Sequence, residues 1–434
     1  MAARSIPTAG VFRSVPATQR LYIPAQSAVR NRPLRSKPSG TAVAAGEGLA
    51  VEQTETDAAP LAPVAGVIVQ AGRVTLLNGT VVDAIEFQPA SSAVEQPSVA
   101  LEIPKHRGSL RFTDLGPWID HLLKAGISAF RMCSPDLIGQ MYQCLSRPID
   151  TVICCVMDSD PNMPLNSAVA EAFPAELAGG IDLLSKLTGA QRAWVVADPE
   201  IPNNWYGAMD PLVIADGLQL VPLRSDYPQS HPTVLLHTLL ERRLRPGRLP
   251  VEQGVLMLDA CAAVAIGNYL LHGQPMLQVP LAVRDHIRHR THFLTVPIGM
   301  TLDEVCRFIG IPAGEVLLRG GDFLRDQILP TDAVTGPGEL IVHVAAREIP
   351  ANPDPCVRCA WCIDACPTRI QPAGLLEAAQ RNDIRLAERF GVDACIECGI
   401  CSFVCPSRLP LLQSIRKLRA TDAAWSMSPA GASA

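Results

Sequence analysis

The sequence predicts a multidomain α/β protein that ends in a small, helical, cysteine-rich domain. Three observations support this fold class: a β-type alternation over residues 40–90, strands that alternate with helices from about residue 108, and a cysteine pattern that occurs twice after residue 355. With 434 residues the chain is long enough for about three domains, each with its own core.

The N-terminal part, residues 1–105, is predicted to be a basic segment followed by a β domain. Asn78-Gly79 stands between two β-rich runs, which is a strong hairpin signal. The first 46 residues hold six arginines and Lys37 and no acidic residue. We expect a solvated, mostly extended tail there, and contact with anionic lipid or a partner is the alternative.

Residues 106–290 alternate between strands and helices, which predicts a doubly wound parallel sheet. Strands are expected at 151–157 and 192–197, with one helix at 168–187 between them. Later strands are expected at 211–216, 218–223 and 255–258, and later helices at 233–243 and 260–271.

The most apolar stretch, residues 254–271, contains Asp259. A carboxylate near the centre of a bilayer costs roughly 2.5–3.5 kcal/mol, so a buried strand followed by a buried helix explains this stretch better than a transmembrane segment. We therefore predict that the chain has no transmembrane span.

The last third of the sequence divides into three parts. Residues 291–347 begin with a strand, a turn and a helix and end with a strand. A proline-rich linker then leads to the cysteine-rich domain at 351–420, which is expected to be helical. Residues 421–434 are small and polar, and they are predicted to form a disordered tail.

The cysteine pattern is the most specific feature of the chain. It reads Cys-x2-Cys-x2-Cys-x3-Cys-Pro and returns 39 residues later. Its members are Cys356, Cys359, Cys362 and Cys366 before Pro367, and Cys395, Cys398, Cys401 and Cys405 before Pro406. This spacing is typical of proteins with two [4Fe–4S] clusters, in which the fourth cysteine of each run binds the other cluster. We therefore predict that Cys405 completes the set of the first run and that Cys366 completes the set of the second.

Zinc sites and disulfides explain the pattern less well. Structural zinc sites use pairs of cysteines and have no role for an evenly spaced third one. Disulfides need an oxidising compartment, and the first thirty residues contain no continuous apolar stretch of the secretory type. The remaining cysteines are predicted to be core side chains: Cys133, Cys144, Cys154, Cys155, Cys261 and Cys306.

Charge and histidine content exclude other classes of site. The net charge is −5 and the basic residues are dispersed, so no nucleic-acid surface is indicated. His286, His289 and His292 share a helix face only loosely and have arginines between them, which favours an exposed basic stretch over a metal site. We identify no catalytic residue set.

The order of these parts resembles the C subunit of the Rnf electron-transport complex and its relatives, which include corrinoid reductases of bacterial microcompartments. The resemblance rests on CPTRIQP and CIECGICSFVCPSRLPLLQSIRKL near the C-terminal end, on RLYIPAQ near the start, and on VPIGMTLDEVCRFIG with IVHV. It implies a hammerhead-like β domain over 1–105, a domain over 106–290 like the flavin subunit of respiratory complex I, a soluble-ligand-binding-type β-grasp domain over 291–347, and the dicluster domain over 351–420.

The flavin and NADH site of this family has a glycine-rich loop of the form Gly-x-Gly-Gly-Ala-Gly-Phe-Pro-Thr, which lets the backbone approach the cofactor. Here the matching segment, 125–134, keeps only Gly126, and Phe130, Arg131 and Met132 occupy the cradle. Asp158 and Asp160 either stand in for an acidic pair of the family or belong to an ordinary polar loop. The family's Gly-Gly-Glu after Tyr-Pro has become Gln-Ser-His at 229–231. FMN binding is therefore not expected.

The resemblance implies an iron–sulfur electron-transfer subunit of a membrane-associated oxidoreductase. Expected partners are other subunits of such a complex or a small redox protein. We expect a cytoplasmic protein, for which peripheral attachment to the cytoplasmic face of the inner membrane stays open. Two other functions are considered: a soluble flavin-dependent NAD(P)H or corrinoid reductase, and a scaffold protein with vestigial redox domains.

Overall fold

The computed structural model describes residues 12–25, 34–51, 59–90, 114–160, 162–199, 217–322, 324–347 and 352–421. The predicted strand at 211–216 and the predicted tail beyond residue 421 lie outside these ranges.

The described strands are β1 (Arg13–Ser14), β2 (Leu21–Pro24), β3 (Arg35–Ser36), β4 (Ala42–Val43), β5 (Ala50–Val51), β6 (Gly66–Thr75), β7 (Val81–Pro89), β8 (Thr151–Cys155), β9 (Arg192–Ala197), β10 (Gln219–Pro222), β11 (Val255–Asp259), β12 (Gln278–Asp285), β13 (Arg290–Pro297), β14 (Val316–Gly320), β15 (Gln327–Leu329) and β16 (Ile341–Ala346). The described α-helices are Leu115–Lys124, Leu137–Cys144, Leu165–Ala172, Pro174–Thr188, Pro232–Leu240, Ala260–His272, Leu302–Phe308, Trp361–Asp364, Pro372–Arg381, Ile384–Arg389, Ile400–Phe403 and Leu411–Thr421.

The N-terminal β structure is a four-stranded sheet with the order β2-β7-β6-β4. The solvated, extended tail expected over the first 46 residues is wrong for the described part of that segment, because β2 pairs with β7 and its Leu21 and Ile23 are buried. The predicted hairpin is confirmed, because β6 and β7 pair in antiparallel fashion around Asn78-Gly79. Gly79 has φ +81°, which glycine adopts without steric cost.

The second unit is a parallel sheet with the order β10-β9-β8-β11. Its central strand β8 is buried along its whole length, as expected for a strand covered on both faces. The expected single helix at 168–187 is wrong: two helices meet at Phe173-Pro174. Phe173 has φ −134° and ψ 57°. Pro174 disfavours the helical conformation for the residue before it, and it has no N–H to donate to a helix hydrogen bond.

The third sheet has six strands in the order β1-β13-β12-β16-β14-β15. Strand β12 lies before the predicted domain boundary at residue 290, and it pairs with β13, which follows that boundary. This sheet shares a hydrophobic core with the N-terminal strands through side chains such as Ile23, Phe87 and Leu294. The two β units therefore stabilise one another.

The cysteine-rich domain is helical, as predicted. Its helices 372–381 and 411–421 pack together over a small core that includes Ile370, Leu375 and Ile415. Within the ranges given above, no helix is both long and apolar enough to span a bilayer.

Candidate iron–sulfur site

The two cysteine runs have the same backbone conformation. Left-handed residues occur at equivalent positions 39 residues apart: Arg358 and Glu397 (φ 58° and 52°), Ala360 and Gly399 (φ 63° and 78°), and Arg369 and Arg408 (φ 56° and 54°). Five of these six residues carry a side chain, so the conformation is maintained against its usual steric cost. Left-handed residues within such a loop turn successive N–H groups toward one point, which suits a negatively charged centre.

The first cysteine group surrounds one cavity. Cys356, Cys359, Cys362 and Cys405 line a space of about 210 Å³, together with the apolar side chains of Ile363 and Leu411. Burial raises the pKa of the Cys362 thiol, and the neighbouring Cys405 and Cys356 raise it further. The fourth cysteine of the second run thus lies with three cysteines of the first.

The second cysteine group shows the reciprocal arrangement. Burial raises the pKa of Cys401 to about 12, and the charges of Cys395, Cys398 and Cys366 act in the same direction. Cys366 also raises the pKa of Cys398. All four are buried. Cys366 therefore neighbours the cysteines of the second run.

These groups suit a cluster better than a single ion. Among the residues that the structure describes, no three Cys, His, Asp or Glu side chains converge closely enough to hold one metal ion. Zinc would draw its sulfur ligands to about 2.3 Å from one centre. A cube of four irons and four sulfides is larger, so its ligands stand around a space such as the 210 Å³ cavity. The donor set and the cavity fit a [4Fe–4S] cluster.

Arginines hold the loop of the second group in place. Arg416 Nε and Arg419 Nη1 donate to the two carboxylate oxygens of Glu397, at 3.0 and 2.6 Å. Burial alone would raise the pKa of Glu397, but Arg419 and Arg416 outweigh that effect and lower it. Arg419 also donates to the main-chain oxygen of Cys395 at 2.7 Å. The loop is therefore fixed by charged hydrogen bonds from the last helix.

The same loop contacts the rest of the protein. The Tyr227 hydroxyl donates to the main-chain oxygen of Cys398 at 2.5 Å. A Cβ at Gly399 would lie 1.9 Å from the main-chain oxygen of Leu324. Arg416 donates to the main-chain oxygen of Arg325 at 3.3 Å. The second cysteine group thus lies where three parts of the chain meet.

The segment that corresponds to the family's flavin cradle is filled. Arg131 donates to Asp259 through Nε and Nη2, at 2.5 and 2.8 Å; Asp259 is buried and the Arg131 side chain is only 11% exposed. Its Nη1 also donates to the main-chain oxygens of Pro337 and Gly338, at 2.6 and 3.1 Å. Burial lowers the pKa of Arg131, but the Asp259 carboxylate outweighs that effect and raises it. The guanidinium therefore stays charged at the centre of this region.

Two cavities of different size adjoin this ion pair. One measures about 40 Å³, and its lining includes Arg131, Cys133, Asp158, Asp259, Asp322 and Glu339. A water molecule takes about 30 Å³ of liquid volume, whereas ligand pockets measure roughly 300–1,000 Å³. The other is a cleft of about 530 Å³, which Arg131 and Ser128 line together with Phe12 and Phe173, but not Gly126, Asp158 or Asp160.

The three flavin-site candidates have local structural partners. Gly126 has φ +70° and donates to the main-chain oxygen of Leu123, so it ends the helix 115–124. Asp158 accepts from the N–H of Asn166 at 2.7 Å, at the start of the helix 165–172. Asp160 accepts from the N–H of Asn162 at 2.8 Å. Of the three, only Asp158 lines the 40 Å³ cavity.

The other cysteines and histidines agree only in part with expectation. Cys133, Cys144, Cys154, Cys155, Cys261 and Cys306 are all buried, as predicted. His286, His289 and His292 lie on the β12–β13 hairpin and its turn, where His289 is exposed and the other two are half-buried, so the expected exposed basic stretch is confirmed only in part. His286 contacts buried His343 at 3.0 Å.

Comparison with known proteins supports the site. Residues 348–406 match the family model described as a 4Fe-4S dicluster domain. The chain is 24% identical over 324 residues to the C subunit of the Na(+)-translocating ferredoxin:NAD(+) oxidoreductase complex of Acetobacterium woodii, covering 70% of this chain and 72% of that protein. It is 25% and 27% identical to the C subunits of the ion-translocating oxidoreductase complexes of Edwardsiella ictaluri and Rhodobacter capsulatus, covering 70% and 62% of this chain.

The chain spans only 38% and 53% of the length of those last two relatives. Among solved structures it is similar to a chain of the NAD+-reducing [NiFe]-hydrogenase in the air-oxidized state, with a TM-score of 0.48, 14% identity, and coverage of 79% of this chain and 66% of that one. By sequence and by its dicluster domain, the chain is related to the C subunits of ion-translocating oxidoreductase complexes, as its motifs predicted.

Proposed function

We propose that the chain is an iron–sulfur electron-transfer subunit of an Rnf-like, membrane-associated oxidoreductase. The observation that carries this proposal is the pair of four-cysteine groups, each with members from both repeats. The intact groups argue against a scaffold protein with vestigial redox domains.

The proposed ligands follow the spatial grouping. Cys356, Cys359, Cys362 and Cys405 hold one [4Fe–4S] cluster. Cys395, Cys398, Cys401 and Cys366 hold the other. Each cluster, when bound, supplies a one-electron redox centre whose potential depends on charge, hydrogen bonding and burial. The protein sets these conditions differently for the two sites.

At the second site, the surrounding residues favour added negative charge. Arg419 and Arg416 reach Glu397 within the loop, and the half-buried Arg325, which pairs with Asp322, lies close by. The N–H of Ile400 is directed at the Cys398 thiol and lowers its pKa against the effect of burial. Such positive and donor groups stabilise a thiolate, and they also favour the reduced state of a metal centre.

We further propose that the chain binds no FMN and does not oxidise NADH by itself. By the resemblance, the Arg131–Asp259 pair occupies the position where the family's backbone approaches the flavin, and the cavity of about 40 Å³ that Asp158 lines is too small for a flavin ring. Arg131 also lines the cleft of about 530 Å³, but Gly126, Asp158 and Asp160 do not. This argues against the flavin-dependent reductase as the primary function. Electrons then enter and leave through protein partners.

The finer architecture is part of the proposal. Residues 1–105 are assigned to a basic segment and a hammerhead-like β domain, 106–290 to a doubly wound α/β domain, 291–347 to a β-grasp domain, and 351–420 to the dicluster domain. Strand β12 lies in the second range but belongs to the sheet of the third. We propose cytoplasmic placement, with attachment to the inner membrane through other subunits of the complex.

The test is the metal content and the visible spectrum of anaerobically purified protein. Two complete clusters require about eight irons and eight acid-labile sulfides per chain. We expect broad iron–sulfur absorption that dithionite bleaches, no flavin bands, and no bleaching by NADH. About four irons would overturn the two-cluster assignment, and stoichiometric zinc would overturn the cluster assignment itself. Stoichiometric FMN or reduction by NADH would favour the reductase.

A further inference from the structure

The two cysteine groups differ in their exposure. Cys366, Cys395, Cys398 and Cys401 are buried, whereas Cys356 and Cys359 are exposed. The loop of the second group is covered by Tyr227 and by the main chain at Leu324. In the described part of the chain, nothing equivalent covers the loop of the first group. Electrons pass between proteins over short distances, so the first site is the one that a partner can approach.

Large apolar side chains surround this exposed site. Val357, Trp361 and Phe403 are 65%, 56% and 68% exposed, and all three lie within the cysteine runs. Val357 lines the first cavity, and the short helices that carry Trp361 and Phe403 pack against each other. The counterpart of Val357 in the second run, Ile396, is only 5% exposed. The same motif is therefore covered by protein in one repeat and left open in the other.

The rim of this surface is basic. Arg358 and Arg369 are exposed, and neither has a carboxylate partner among the described residues. Arg408 pairs with Asp354 at 3.3 Å, and Asp364 is the other exposed carboxylate of this surface. The rim thus contains three arginines, two aspartates and no lysine. Aromatic residues and arginine are enriched at protein interfaces, whereas lysine is depleted.

We propose that Val357, Trp361 and Phe403, with Arg358 and Arg369 on their rim, form the docking surface for an acidic one-electron carrier protein. This inference rests on the proposed function and names its partner. The apolar centre excludes water above the first cluster, and the arginines pair with carboxylates around the partner's own redox centre. In each encounter one electron moves between the cluster and the carrier, so that one is oxidised as the other is reduced. No bond is made or broken.

The test uses the whole chain, purified anaerobically and reduced with dithionite. Stopped-flow mixing measures electron transfer to an acidic [2Fe–2S] ferredoxin, and ferricyanide serves as a small acceptor. Trp361→Ser with Phe403→Ser should slow transfer to the ferredoxin by about tenfold, as expected for the loss of central interface side chains. Transfer to ferricyanide should not change. Ile328→Ser, which removes an apolar side chain of 66% exposure outside this domain, is the matched control and should leave both rates unchanged.

A second variant tests the charge. Arg358→Asn with Arg369→Asn keeps a residue that tolerates the left-handed backbone. It should slow ferredoxin reduction at low salt and weaken its dependence on salt. Arg385→Gln, an exposed arginine on the helix 384–389, is the control. A rate of ferredoxin reduction by the wild-type protein that does not fall as salt is added would overturn the assignment of an acidic partner.

Other outcomes separate this inference from the proposed function. Wild-type protein without iron would contradict the proposed function itself. If the protein holds eight irons but neither double variant changes the ferredoxin rate, the docking surface is wrong. If Trp361→Ser with Phe403→Ser loses iron, the docking surface is tested by the ferredoxin rate of Arg358→Asn with Arg369→Asn and by the dependence of that rate on salt. If sedimentation shows a dimer that Trp361→Ser with Phe403→Ser dissociates, a second copy of the chain occupies the surface.

Discussion

The hydroxyl of Tyr227 donates a hydrogen bond of 2.5 Å to the main-chain oxygen of Cys398. Tyr227 precedes the helix 232–240 of the α/β unit, and Cys398 is the second of the four cysteines in the second run. The bond joins residues 171 positions apart in sequence. Burial raises the pKa of Tyr227, so the hydroxyl keeps its proton and can only donate to this carbonyl oxygen. The bond therefore links the α/β unit to the second cysteine group.

Tyr227→Phe tests whether this bond supports the second cluster. The change leaves the Cys398 carbonyl without its donor, which should cost about 1–3 kcal/mol. We expect a lower melting temperature and a shifted midpoint potential for one of the two clusters, with full iron content. Electron paramagnetic resonance during a redox titration measures the two clusters separately.

Tyr142→Phe is the control for that experiment. The Tyr142 hydroxyl is buried and has no hydrogen-bond partner in the described structure. Its removal should leave stability unchanged or slightly improved, and both potentials should remain the same. Equal effects of the two substitutions would show that the Tyr227 bond has no specific role.

Crossed ligation gives a second prediction. Cys405→Ser removes a thiol from the 210 Å³ cavity that Cys356, Cys359 and Cys362 also line. The cluster of that cavity should be lost or changed, and the cluster beside Cys395 should keep its spectrum. Iron should fall from about eight to about four per chain if the first cluster is lost.

Cys306→Ala provides the comparison for Cys405→Ser. Cys306 is buried and lies outside both cysteine runs, so its removal should leave iron content unchanged. If Cys405→Ser perturbs only the cluster of Cys395, Cys398 and Cys401, the ligation is not crossed.

Local sequence patterns predicted the cysteine groups, because their spacing is set by chain geometry around one centre. Cys405 could be assigned to the first group from the motif alone. Tyr227 could not be found in this way, because its partner depends on how two distant parts of the chain pack. The pairing of Glu397 could have been predicted from the sequence, because it is an acidic residue inside the second run and Arg416 and Arg419 are three residues apart on the helix 411–421.

Asp259 is a residue whose partner could not be predicted from the sequence. Its position in the sequence indicated only that residues 254–271 do not cross a membrane. In the structure it pairs with Arg131, 128 residues away, and its Oδ1 accepts from the N–H of Ala262 at the start of the helix 260–272. The bulky residues at 130–132 led us to predict the loss of the flavin cradle, but they did not indicate the ion pair that Arg131 forms with Asp259. A charge pair between distant segments leaves no periodic pattern in the sequence.

The Arg131–Asp259 pair leads to a third prediction. Arg131→Met leaves the Asp259 carboxylate buried without its cationic partner, which should cost about 3–5 kcal/mol. The melting temperature should fall clearly under anaerobic conditions. Adding Asp259→Asn should recover much of the loss, because asparagine carries no charge and can still cap the helix. If the double variant is no more stable than Arg131→Met, the buried charge is not the cause.

The fourth prediction concerns pH and His231. His231 Nδ1 accepts from the N–H of Thr233 at 3.2 Å, at the start of the helix 232–240. Burial and, to a smaller extent, the positive charge of Arg325 lower the pKa of His231 from 6.5 to about 3. The folded protein therefore holds this histidine neutral, while the unfolded chain binds a proton near pH 6.5.

Acid should therefore destabilise the folded protein through His231. The stabilisation is complete above pH 6.5 and is lost as the pH falls from 6.5 toward 3, because only the unfolded chain gains the proton. At pH 5.5 the loss should be about 1.4 kcal/mol. His231→Asn keeps a capping side chain without a titrating ring, so its melting temperature should fall less between pH 7.5 and 5.5. Parallel slopes for wild type and His231→Asn would show that His231 is not held neutral in the folded protein.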